Sequence, residues 1–79
     1  MRNDLLPLNE VPMGNVVFVK ELISDGISRR RMLDLGLIKG TKVQCLRQSP
    51  SGDPTAYEIR GAVIALRSEE ASKILVQLI

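Results

Sequence analysis

The sequence predicts a mainly β fold: a small five-stranded barrel with one short helix between its first and second strands and a helical turn before its last. Three observations lead there. Short runs rich in β-branched and aromatic residues recur along the chain, the composition of strands packed on one face. Glycine, proline, serine and aspartate separate these runs about every ten residues. The 79 residues allow one domain, and closing the sheet would remove most of the edges that threaten a short all-β chain.

The elements follow in order. Residues 1–13, with Pro7 and Pro12, read as an irregular N-terminal segment, and Gly14 opens an ordered domain over 14–79. Asn15 to Leu22 holds Val16, Val17, Phe18 and Val19 and reads as the first strand. Ser24-Asp25-Gly26 turns the chain. Ser28 is expected to N-cap a helix of about two turns, with Ile27 and Met32 placed for a hydrophobic staple. Gly36 supplies the left-handed stop, and Leu37 beyond it can touch Met32. Asp34 in the last turn opposes the helix dipole.

Thr41 to Gln48 alternates, with Val43 and Cys45 on one face and Lys42, Gln44 and Gln48 on the other, while Leu46 falls on the polar side. Ser49 to Thr55, with two prolines, a glycine and an aspartate, is a loop of restricted shape. Ala56 to Arg60 is a strand with Tyr57 and Ile59 on one face; Gly61 breaks it, and Ala62 to Arg67 forms another. Ser68 caps a helical turn over Glu69 to Lys73, and Leu75 to Ile79 is the last strand.

Composition excludes several classes. A chain of this size buries about 60% of its unfolded surface, so its stability should be a few kcal/mol. The single cysteine, Cys45, has no intramolecular partner and indicates a reducing compartment. The N-terminus lacks the apolar core of a signal peptide, and the longest apolar run, Ala62 to Leu66, is far short of the about 20 residues a membrane span needs. A cytoplasmic protein is expected. Net charge is +2 and the pI about 9.0. The one dense basic cluster is Arg29, Arg30 and Arg31; three phosphate contacts would give a salt slope of only about −2.7, which is thin for a nucleic-acid protein.

Chemistry is equally sparse. There is no histidine, and Asp25, Asp34, Asp53 and Glu58 are scattered singly, so no metal site or cofactor is expected. No nucleophile has a visible base. Cys45, inward beside Val43, reads as a small core hydrophobe. Phe18 and Tyr57 are too few aromatics for a proline-peptide groove or a base-stacking platform.

Three motifs in order carry a resemblance: Arg31 to Thr41 with its Leu-Asp-Leu-Gly-Leu-Ile-Lys-Gly run, Ser49 to Pro54, and Ile64 to Ala71. Together they are similar to the FeoA family, ferrous iron transport protein A, over about Gly14 to the C-terminus. Two positions depart from the family pattern: Lys39 stands where proline is usual, and Ser51 where a bulky residue is usual. The resemblance implies an SH3-like barrel and a non-enzymatic accessory role in bacterial Fe(II) uptake. Its implied partner is an FeoB-type membrane transporter with a GTPase-bearing cytoplasmic part, reached without any membrane segment of its own.

Three surfaces are candidates for contact. The first is the helix and its exit: Arg29, Arg30, Arg31, Leu35 and Leu37, although the leucines are expected rather to close one open end of the barrel. The second is the loop Pro50, Ser51, Gly52, Asp53 and Pro54, where Asp53 could equally serve only the turn. The third is any unpaired strand edge, which would support a homodimer or strand addition. The alternatives to transporter docking are a small basic barrel that binds nucleic acid and an Fe(II)-binding chaperone.

Overall fold

The computed structural model describes residues 5–78. Six strands form one antiparallel sheet: β1 (Leu5–Pro7), β2 (Val16–Leu22), β3 (Lys42–Gln48), β4 (Thr55–Ile59), β5 (Ala62–Leu66) and β6 (Ile74–Leu78), in the spatial order β1-β6-β2-β3-β4-β5. A nine-residue helix, α1 (Gly26–Asp34), joins β2 to β3, and the single turn α2 (Ser68–Ala71) precedes β6. The mainly β class and the positions of both helices match the sequence reading.

Strand count and closure differ from it. Residues 5–7 form a sixth strand on β6, with Leu5 opposite Gln77, and residues 8–10 form a 3-10 turn that sends Leu8 into the core. Val11 is buried as well. The segment expected to be irregular therefore belongs to the fold from Leu5 onward; residues 1–4 lie outside the described part, as does Ile79 of the last strand. Pro7 obscured the strand, yet at an edge its missing N–H leaves no ladder bond unmade. Among the described residues β1 and β5 do not pair, so the sheet stays open with two edges.

The core is one cluster enclosed by the curled sheet. Val17, Val19, Val43, Cys45, Tyr57, Ile59, Leu66, Ile74 and Val76 face inward, and Leu8, Met32, Leu37 and Ala71 close over them. Burial of Val43 with Cys45, and of Tyr57 with Ile59, follows the alternation in the sequence. Two irregularities repair it where it breaks. A register shift between Val19 and Glu21 turns Leu22 back to the buried face, and another between Cys45 and Arg47 absorbs Leu46, the residue out of phase with its strand.

The end of α1 forms as expected. Gly36 has φ +93, its N–H donates to Leu33 O at 3.0 Å, and the Leu37 N–H donates to Met32 O at 3.1 Å. This is the Schellman pattern, with buried Leu37 and Met32 as its apolar contact. The start differs. Gly26, at φ +61, begins the helix two residues before Ser28, with Asp25 preceding it and making no side-chain cap bond. Ser28 is thus an exposed first-turn residue, and Ile27, 89% exposed, staples nothing.

Candidate functional site

The three arginines of α1 have three different fates. Arg29 Nη1 donates to the Leu22 carbonyl at 3.0 Å, tying the helix to the end of β2. Arg31 pairs with Glu70 of α2 across 39 residues of sequence. Arg30 meets only Asp34, at 3.9 Å, with both side chains mostly in solvent, where such a pair contributes little. Arg30 is therefore the member of the triplet left available to a partner. Leu35 is half-buried against the core, and Leu37 is fully buried. Leu37 is thus not a surface residue: the Schellman ending draws it inward to close the core.

The loop after β3 is built on its own polar groups. Gly52, at φ +94, donates its N–H to Ser49 O at 2.8 Å, and the Ser49 N–H donates to Pro54 O at 3.1 Å. The Ser49 and Ser51 hydroxyls donate to Asp53 O at 2.7 and 3.0 Å. The Asp53-Pro54 peptide is cis. These bonds leave Pro50 and Ser51 exposed at the tip and Asp53 half-buried at the base.

Asp53 faces α2. Its Oδ1 accepts the Ser68 backbone N–H at 2.7 Å, and its Oδ2 lies 3.7 Å from Arg67 Nη1. Capping of α2 thus comes from a residue 15 positions earlier, because a carboxylate at a helix start satisfies an orphan N–H and the dipole together. The Ser68 hydroxyl, expected to cap, instead accepts from Asn9 Nδ2 at 3.1 Å. Glu70 completes the turn, with Oε1 accepting the Arg67 N–H at 3.0 Å and Oε2 held by Arg31.

The loop and α1, separate in the sequence, are therefore joined through α2: Asp53 to Ser68 and Arg67, Arg67 to Glu70, Glu70 to Arg31. Sequence reasoning missed Glu70, Arg67 and Asn9. The Ser-Glu-Glu run signalled a helix start, but nothing in it indicated that its carboxylate would reach another helix. Between α1 and α2 opens a cleft of about 470 Å³ lined by residues including Ile23, Asp25, Met32 and Glu69.

The reactive groups lie elsewhere. Cys45 and Tyr57 sit side by side in the core, paired across β3 and β4. Burial pushes the Cys45 thiol up from 9.0 to about 11. Burial first, then the neighbouring Cys45, pushes the Tyr57 phenol up from 10.0 to about 12. Both are neutral at physiological pH. Among the described residues no three His, Cys, Asp or Glu side chains converge as a metal site, and no helix is long and apolar enough to cross a membrane. The arrangement presents exposed polar and apolar side chains on a frame of sheet and helices.

Comparison with known proteins agrees with this frame. The family model for the FeoA domain matches residues 6–78. A curated relative, the Fe(2+) transport protein A/Fe(2+) transporter FeoB fusion protein of Porphyromonas gingivalis, is 32% identical over 72 residues; the match takes in 91% of this chain and 8% of that protein, so the chain spans a small part of its relative's length. The solution structure of an FeoA-like protein from Clostridium acetobutylicum superposes with a TM-score of 0.90 at 34% identity, covering 100% of this chain and 91% of that one. A crystal structure of Stenotrophomonas maltophilia FeoA, an SH3-domain protein complexed with zinc, gives a TM-score of 0.80 at 27% identity, covering 89% and 87%. The family match runs through the N-terminal strand as well as the motifs in α1, the loop and α2, and on that evidence the chain belongs to the FeoA domain family.

Proposed function

We propose that this protein is a non-enzymatic accessory component of bacterial Fe(II) uptake that docks on the cytoplasmic part of an FeoB-type transporter. The observation that carries the reading is the relative in which an FeoA segment and an FeoB transporter are one polypeptide, which keeps the two at high effective concentration. The architecture supports it: the outward groups are contact residues, and the titratable core pair is neutral and buried.

Docking uses the surface that α2 ties together. Arg30 and the exposed Ile27 stand on α1, Leu35 flanks the helix exit, and Pro50, Ser51 and Gly52 form the loop tip. Arg29, Arg31, Asp53 and Pro54 hold these groups in place. Titration of the full chain against the transporter's cytoplasmic GTPase domain, with GDP, with a GTP analogue and without nucleotide, tests the reading. Saturable binding in at least one state is expected, weakened about tenfold by Arg30→Glu, the effect of reversing a charge at a contact. Absence of binding in all three states would overturn it.

A further inference from the structure

On the flank of α1 away from α2, a second groove of about 370 Å³ opens between the helix and β2. Its floor is apolar, with Leu22 and Leu37 buried there. Leu33, from the last turn of α1, and Ile38, from the turn that follows it, line the same groove yet stay 37% and 48% exposed. Four aliphatic side chains thus meet at one concave place, and two of them keep much of their surface in water. Exposed apolar surface gathered in this way, with a polar rim, marks an interaction site.

The rim is basic. Arg29 stands four residues before Leu33, on the same side of α1. The bond from its Nη1 to the Leu22 carbonyl holds the guanidinium at the groove. Lys20 comes from β2, where the register shift between Val19 and Glu21 makes it the extra residue of the strand, a position at which a bulge re-aims the side chain. Lys39 lies beside it. The Gly40 N–H donates to Val19 O at 2.7 Å and the Val19 N–H to Thr41 O at 2.9 Å, clamping the turn that carries Lys39 onto β2. Glu21 is the one acid among the described residues of the lining. Three cations from three segments therefore face one acid around an aliphatic centre.

We propose that this groove docks an acidic segment of a partner protein, with one leucine-like side chain seated against Leu33 and Ile38 and carboxylates on either side of it meeting Lys20, Lys39 and Arg29. The buried anchor supplies the affinity, and the complementary charge selects the segment and speeds its arrival. Concavity favours a protein segment over a bilayer: a slot with a buried floor admits a single side chain, whereas insertion into lipid calls for apolar groups that protrude. The aliphatic lining offers no ring on which a nucleic-acid base would stack. Transporter docking was assigned above to Arg30, Ile27 and the loop tip. The groove uses none of them, so the two sites can each fail alone.

The test is fluorescence anisotropy of the full chain with a labelled peptide Glu-Asp-Gly-Leu-Gly-Glu-Asp, beside one version with serine for leucine and another with lysines for the acids. The leucine peptide should bind saturably, the serine peptide about tenfold more weakly and the lysine peptide not at all. Lys39→Glu, at an exposed turn position, should weaken binding about tenfold, and Lys20→Glu repeats the experiment from β2. Arg47→Glu makes the same change in net charge at an exposed residue outside the groove and should alter affinity by less than about twofold. Failure of the leucine peptide to bind, equal affinity of the serine peptide, or equal losses in Lys39→Glu and Arg47→Glu would overturn the proposal. Retention of the chain on phosphatidylglycerol vesicles, abolished by Lys39→Glu and unaffected by excess leucine peptide, would give the groove to lipid and overturn it too.

Discussion

Asp53 accepts the backbone N–H of Ser68 at 2.7 Å, so a loop residue caps a helix that begins after two intervening strands. Asp53→Ala should therefore lower stability by about 1 kcal/mol, read as a fall of about 4–8 °C in the unfolding midpoint for a domain of this size. Asp53→Asn, whose side-chain oxygen can still accept, should recover most of the loss. Equal losses in both variants would mean that the charge, through Arg67 and the dipole, matters more than the bond.

The pair formed by Arg31 and Glu70 joins the two helices at a half-exposed position. A double-mutant cycle of Arg31→Gln and Glu70→Gln should give a coupling of about 0.2–1 kcal/mol in low salt, shrinking as salt is raised. Glu70→Ala should cost more than Glu70→Gln, because only alanine also removes the acceptor of the Arg67 N–H. Chemical denaturation of the four proteins of the cycle and of Glu70→Ala measures both statements.

Gly36 combines φ +93 with a close neighbour: an added Cβ would lie 2.5 Å from Arg60 Cδ. Gly36→Ala should cost about 1–2 kcal/mol for the left-handed backbone, plus the displacement of Arg60. Gly14→Ala, at φ +89 with open space around it, should show the backbone part alone. If the difference is steric, Gly36→Ala in an Arg60→Ala background should approach the Gly14→Ala cost; unfolding midpoints decide it.

Cys45 and Tyr57 make the fold sensitive to alkali. The unfolded chain loses these protons near pH 9 and pH 10, while the folded chain retains them to about 11 and about 12. Over that interval the unfolded state binds fewer protons, so stability is complete below pH 9 and falls as pH rises toward 12. Cys45→Ala should abolish the first part of the decline, visible in denaturation midpoints collected from pH 8 to about 11. The native thiol should also resist alkylation at pH 8 on the timescale over which a denatured sample reacts fully.

The strands were legible where alternation was clean. Val43 with Cys45, and Tyr57 with Ile59, announced their buried face because each strand packs on one side only. Leu46 broke the pattern, and the break was itself a signal, since a register shift absorbs that residue. Leu8 and Val11 were hidden by Pro7 and Pro12, because proline marks a turn equally well whether or not the flanking chain pairs at an edge. The helix start was misplaced because Gly26 can adopt a positive φ that opens the helix ahead of the serine. Of the candidate surface, Arg30 and the loop tip could be read locally. The roles of Arg31 and Asp53 could not, as both depend on a single turn of helix brought close only by the folded sheet.

The pairing of Leu5 with Gln77 sets the first and last described strands side by side. A polypeptide attached at either terminus would leave from that same margin, while β5 lies at the far end of the strand order. Attachment is thereby segregated from the far side of the sheet: a covalent leash would constrain where the domain roams without crossing β5. Such a layout suits a part that works equally as a free subunit or as one segment of a longer chain.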